Sequence, residues 1–124
     1  MESDVAEMTI IVEFEAHAGR EEQFLALLRD HALRTRQEEP GCLRFDIVRP
    51  LGEDRAPIAN RILLCEIYAD EPALAAHERN PRLPAFRAAT APLLKSRRLV
   101  LGKSLNPTSQ DGLTPEELNA SNDR

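Results

Sequence analysis

The stretch Glu39-Pro40-Gly41-Cys42-Leu43-Arg44-Phe45-Asp46-Ile47-Val48 decides the fold. Pro40-Gly41 is a turn signal that ends one helical pattern and launches a strand. Period-two alternation sets Leu43, Phe45 and Ile47 on one face of that strand, against Cys42, Arg44, Asp46 and Val48 on the other. After the polar, Pro- and Gly-broken run from Pro50 to Pro57, the chain returns as Arg61-Ile62-Leu63-Leu64-Cys65-Glu66-Ile67-Tyr68. This second strand stops at the helix signal Asp70-Glu71-Pro72. The two strands read as an antiparallel pair. One face of the second carries Ile62, Leu64, Glu66 and Tyr68, which sets a carboxylate beside a phenol on an apolar surface.

Working outward, residues 8–14 alternate as Met8, Ile10, Val12 and Phe14 against Thr9, Ile11 and Glu13, a first strand. A turn through His17-Ala18-Gly19-Arg20 leads into a helix with Glu21 and Glu22 in its first turn, where the helix dipole favours acids. Phe24, Leu27, Leu28 and His31 recur at helical spacing, widened by Leu25 and Ala32, so this helix should lay one face on a sheet and run to about Glu38. Beyond the strand pair, Asp70 reads as the N-cap of a short helix through Ala76 and His77. Pro81 and Pro84 should interrupt the pattern before Leu83, Phe86, Arg87 and Thr90 resume it, and residues 97–101 supply a last strand. The order strand, helix, strand, strand, broken helix, strand is that of an α+β, ferredoxin-like sandwich with an antiparallel sheet. Helices should cover one face. The other, read as carrying Ile, Leu and Tyr, needs a cover, and the expected cover is a second copy of the sheet in a homodimer.

The 124 residues set one domain over 8–105, between a loose N-terminus at 1–7 and a polar tail at 106–124 in which Thr114-Pro115-Glu116-Glu117-Leu118 could form one helical turn on docking. A formal charge of −5 gives no basic footprint for nucleic acid. No signal-peptide pattern opens the chain and no apolar run reaches membrane-spanning length, so a cytoplasmic protein with no membrane contact is expected. Cys42 and Cys65 fall within strands and read as small buried apolar residues. Three histidines at scattered positions offer no metal spacing, and no Gly-rich phosphate loop or dinucleotide fingerprint appears; neither metal nor cofactor is expected.

The run from Glu39 to Asp46, then Glu66, Tyr68 and Ala69-Asp70-Glu71, then Ala76-His77 and Pro81, with Phe24 behind Gly19-Arg20-Glu21-Glu22, resembles the antibiotic biosynthesis monooxygenase domain family. The resemblance implies a dimeric α+β barrel, two ferredoxin-like subunits packed sheet to sheet, each with a pocket between sheet and helices. It implies a choice of activities: cofactor-independent oxygenation of polyketide anthrones and quinols, isomerisation of a phosphorylated signalling sugar, or haem degradation in a related branch. The haem branch uses an Asn, Trp and His set, and this chain has no Trp, so haem is not expected. Many members read Pro-His-Phe where this chain has Pro81-Arg82-Leu83.

His77 is the first candidate, since a neutral imidazole can take a proton from a phenol or an enolisable ketone and leave an electron-rich carbanion that reduces O2 directly. The alternative is a histidine that caps or packs the second helix. Glu66 on an apolar face would have its pKa raised by burial and so suit acid or base work, unless it pairs with Arg44 or Arg61 across the strands. Tyr68 could donate to a substrate oxygen or fill the sheet with its ring. Arg44 and Arg82 could hold an anionic or carbonyl oxygen or stand as solvated, paired charges, and Phe86 is expected to contact substrate. His31 lies on the apolar stripe of the first helix as a boundary residue or a ligand. His17 sits in a turn. The expected activity is monooxygenation of a small aromatic, quinol-type substrate; the alternatives are isomerisation of a small carbonyl metabolite, or binding of a hydrophobic one without turnover.

Overall fold

In the computed structural model, which describes residues 6–106, four strands and three helices follow the expected order: β1 (Met8–Ala16), α1 (Glu21–Glu38), β2 (Cys42–Val48), β3 (Arg61–Tyr68), α2 (Glu71–Arg79), α3 (Arg82–Thr90) and, after a 3₁₀ turn, β4 (Leu94–Lys103). The sheet is antiparallel throughout, in the order β2-β3-β1-β4. This is the ferredoxin-like α+β sandwich. Apart from Ala6, Glu7 and Asn106, the segments expected as a loose N-terminus and a polar tail, with the turn at Thr114-Pro115-Glu116-Glu117-Leu118, lie outside the described residues.

The inner face is built by alternation. Met8, Ile10, Val12 and Phe14 are buried opposite Tyr68, Glu66, Leu64 and Ile62. Phe24, Leu28, His31 and Thr35 of α1 pack over them at spacings of four, three and four, and the Phe14 and Phe24 rings meet at 4.8 Å. Asp70 caps α2 by accepting from the Ala73 N–H at 2.8 Å. Gly41 lets β2 start hard against this helix, because a Cβ there would collide with the Ala73 Cβ. The connection from β2 to β3 is clipped rather than merely polar. Arg49 donates to both Glu21 oxygens at 2.6 and 2.7 Å and to the carbonyls of Ile58 and Arg61, while Glu21 also accepts from the Asn60 N–H.

Four expectations are corrected. A bulge between Cys42 and Arg44 shifts the register of β2, so Cys42 pairs with Tyr68 on the same face as Phe45 and Ile47, not on that of Arg44. Pro84 does not interrupt a helix: it sits in the first turn of α3, where a missing N–H has no intrahelical partner to lose. Strand β4 is longer than 97–101, because it pairs along the whole of β1. Tyr68 belongs to the helix-covered face and is fully buried. The open face instead carries Ile11, Val48 and Val100, each more than two-fifths exposed or close to it, with half-buried Leu63, Cys65 and Ile67 between them. Among the described residues no helix is long and apolar enough to cross a membrane.

Candidate active site

Between the sheet and helices α1, α2 and α3 lies a cavity of about 400 Å³. Its floor is Ile10, Val12, Phe14 and Leu64; Leu99 and Leu101 of β4 and Leu83 and Phe86 of α3 form its sides. That volume fits a small ring system. Four buried polar side chains line it: His31, Glu66, His77 and Thr90, the last with its hydroxyl donated back to the Phe86 carbonyl at 2.9 Å.

His77 is oriented from behind. Its Nδ1 lies 2.8 Å from Glu39 Oε1, and a carboxylate only accepts, so Nδ1 carries the proton and the lone pair of a neutral ring falls on Nε2. Glu39 is itself fixed by Asn80 Nδ2 at 2.9 Å and Arg82 Nη2 at 3.4 Å. On the other side, His77 Nε2 stands 3.6 Å from Glu66 Oε1, which also accepts the Tyr68 hydroxyl at 2.5 Å. Burial pushes the Glu66 pKa up, against the opposing pull of the Tyr68 hydrogen bond and of His77. Tyr68 is raised by its own burial and by the charge of Glu66, and remains a neutral phenol. Its ring packs 4.8 Å from that of His77.

His31 is set from above. Arg82 Nη1 donates to its Nδ1 at 2.8 Å, so the proton of the neutral ring is on Nε2. No buried side-chain nitrogen or oxygen among the described residues lacks a partner. Among the described residues the Nε2 of His31 has no hydrogen-bond partner and must therefore reach the cavity that the ring lines. The ring stacks on Phe86 at 4.2 Å. Burial, then the charges of Arg82 and His77, lower its pKa to about 4. His31 thus offers an N–H donor where His77 offers a lone pair.

Of the residues expected from sequence, the structure brings His77, Glu66 and Phe86 to the cavity. Tyr68 lies one layer behind, reaching it through Glu66. Arg44 is on the opposite face of the sheet beside Asp46, as the alternation of β2 dictates. Arg82 does not line the cavity; its guanidinium is taken up by Glu38, Glu39, His31 and Thr35. Glu66 pairs with neither Arg44 nor Arg61. Sequence reasoning missed Glu39, Arg87 and Arg97. For Arg97 a signal existed, since period two places it with Leu99 and Leu101, whereas Glu39 stands 38 positions from the histidine it holds. The Cys42 and Cys65 thiols are pushed up by burial, away from reactive thiolate, and no cluster of metal-ligating side chains occurs among the described residues.

The family model for antibiotic biosynthesis monooxygenase matches residues 8–90. Among solved structures, a provisionally named antibiotic biosynthesis monooxygenase from Bacteroides thetaiotaomicron is 25% identical with a TM-score of 0.68, the match covering 88% of this chain and 95% of that one. A provisionally named counterpart from Nitrosomonas europaea is also 25% identical, with a TM-score of 0.70 and coverage of 83% and 94%. A mutant of SnoaB from Streptomyces nogalater, a cofactor-independent oxygenase, shares the fold at 18% identity and a TM-score of 0.68, with coverage of 82% and 96%. No curated protein matches the chain significantly.

Proposed function

This chain belongs to the antibiotic biosynthesis monooxygenase family, and from that premise we propose that it oxygenates a small aromatic, quinol-type substrate without a cofactor. The observation that carries the proposal is His77, its Nδ1–H held by Glu39 and its Nε2 turned toward Glu66 and the cavity. His77 removes a proton from a phenol or from a ring carbon beside a carbonyl, leaving an enolate with carbanion character at that carbon, and Glu66, its pKa raised, takes part in moving that proton on. The His31 N–H donates to the substrate oxygen on which charge gathers. The carbanion gives one electron to O2, the radical pair joins to a carbon-bound hydroperoxide, and loss of water leaves a carbonyl. The sum, CH2 and O2 to C=O and H2O, balances with no outside reductant. SnoaB, of like fold, is a cofactor-independent oxygenase, which supports this reading.

The pairing of a base with a neutral donor supports a second reading, isomerisation of a small carbonyl compound, which needs only the proton steps. Metal-free protein incubated with hydroquinones and anthrones under an oxygen electrode separates the two. The oxygenase consumes O2 without added flavin; the isomerase exchanges substrate deuterium anaerobically and consumes none. Binding without either reaction would overturn both.

The working unit in this proposal is a homodimer in the cytoplasm, a dimeric α/β barrel with no nucleic-acid partner. The apolar stripe of Ile11, Val48 and Val100 on the uncovered sheet face supports it. A monomer by light scattering at micromolar concentration would refute the barrel.

A further inference from the structure

Two arginines from different elements meet at the exposed rim of the cavity: Arg87, one residue past Phe86 on α3, and Arg97 on β4, opposite Phe14. Neither guanidinium has a hydrogen bond or ion pair among the described residues. Other cations nearby are taken, Lys95 by Glu15 at 3.7 Å, Arg98 by Glu13 and Arg82 by Glu38 and Glu39. Glu78 of α2, which also lines the cavity, pairs with neither arginine among the described residues. A chain of net charge −5 has thus set two like charges on the lining of one largely apolar hollow. They are close enough to feel each other: partial burial and then the charge of Arg87 push the Arg97 pKa below its ordinary value. The charge of Arg87 also reaches down to Glu66, and that of Glu66 reaches Arg97, but among the described residues neither arginine makes a hydrogen bond or ion pair with the buried acids below, where Glu66 accepts from Tyr68 and Glu39 from Asn80 and Arg82.

We infer that Arg87 and Arg97 form an anion subsite, which clamps a carboxylate or phosphate carried on the apolar body that fills the cavity. The aromatic substrate of that site then carries an anionic group on its ring system. Guanidinium forks match the planar or tetrahedral oxygens of such groups, and the apolar floor receives the rest of the molecule. This inference rests on the reading of the cavity as the substrate site, and it names what that site selects.

The test is equilibrium binding, so it does not depend on turnover. Dissociation constants are measured by calorimetry for 1-naphthoate, 1-naphthyl phosphate and the neutral 1-naphthamide, with inorganic phosphate as competitor. The naphthoate or the naphthyl phosphate should bind about tenfold or more tightly than the amide, with the margin shrinking at high salt. R87Q and R97Q should each remove most of that margin and leave the amide constant unchanged. Whichever anion shows the larger margin identifies the group, and competition by inorganic phosphate marks phosphate. Equal binding of amide and anions, or a margin that survives in both variants, overturns the subsite. Because these side chains are exposed, neither substitution should alter the unliganded Tm. Absence of O2 uptake would sink the oxygenase reading while leaving this result intact.

Discussion

Acidification should expose His31. The ring is almost wholly buried, and its pKa falls from 6.5 to about 4 through burial and the charges of Arg82 and His77. Between those two values the unfolded chain holds a proton that the native state does not, so native stability falls as pH drops through this window and levels off below it. At about 1.4 kcal/mol per pKa unit, the full loss is about 3 kcal/mol, and about 2.5 kcal/mol of it should have appeared by pH 4.5. The perturbation is His31→Gln, which keeps an acceptor for Arg82 and cannot be protonated. Urea unfolding of both proteins is followed from pH 7.5 to 4.5 at one protomer concentration, since self-association would otherwise shift the midpoints. Subtraction removes the contributions of every other group. The wild type should lose stability relative to the variant by the stated amount, nearly all of it below pH 6.5. Parallel curves would refute the reasoning and mean that His31 titrates like a solvated histidine, in which case it could not be a neutral donor at pH 6.

His77→Ala should lower turnover of a genuine substrate by roughly two to four orders of magnitude, measured as initial O2 uptake; a wild-type rate would make the histidine structural. Glu39→Gln should cost roughly two orders of magnitude or more, because neutralising the carboxylate that orients a catalytic histidine frees the wrong tautomer; unchanged turnover would remove Glu39 from the mechanism. Glu66→Gln should have a smaller effect on rate but alter the pH profile. Since the pKa of Glu66 is raised by burial, the native state holds its proton more tightly than the unfolded chain does, and stability declines as pH rises past the ordinary carboxylate range. The Gln variant should lack that decline, which chemical denaturation from pH 4 to 8 would reveal. Gly41→Ala should destabilise by about 1–3 kcal/mol, the usual cost of overpacking, because its Cβ would strike Ala73; an unchanged unfolding midpoint would mean that α2 yields freely.

What the sequence could show follows from how far each determinant reaches along the chain. Alternation in β1 and β3 and the 3.6-residue stripe of α1 are local, so the topology and the sharing of one strand face by Glu66 and Tyr68 were legible in the sequence. The bulge in β2 was not, because one extra residue at Leu43 leaves the composition of the strand untouched while turning Cys42 to the other face. For the same reason Tyr68 was read onto the open face: the alternation tells which residues share a side, and only the crossing of the helices tells which side they cover. The site depends on contacts of still longer reach. Glu39 meets His77 across 38 positions and Arg82 meets His31 across 51. No spacing rule carries such pairs.

Arg82 is the residue whose meaning changes most between sequence and structure. Read alone, at a position where many relatives have histidine, it suggested a rim charge for a substrate oxygen. In the fold its guanidinium divides between two acid–base groups: Nη1 donates to His31 Nδ1, and Nη2 reaches Glu39, whose other oxygen takes the His77 Nδ1–H. One fixed cation therefore biases both rings in opposite senses. It denies His31 a proton on Nδ1 and so leaves that ring an Nε2–H donor, and it steadies the carboxylate that makes His77 an Nε2 acceptor. A lysine, with a single ammonium in place of a planar fork, would not reach both partners in these directions. The complementary pair of histidines facing one cavity is thus a consequence of packing α3 against the end of α1, and the chemistry proposed for the cavity depends on that helix contact as much as on the residues that line it.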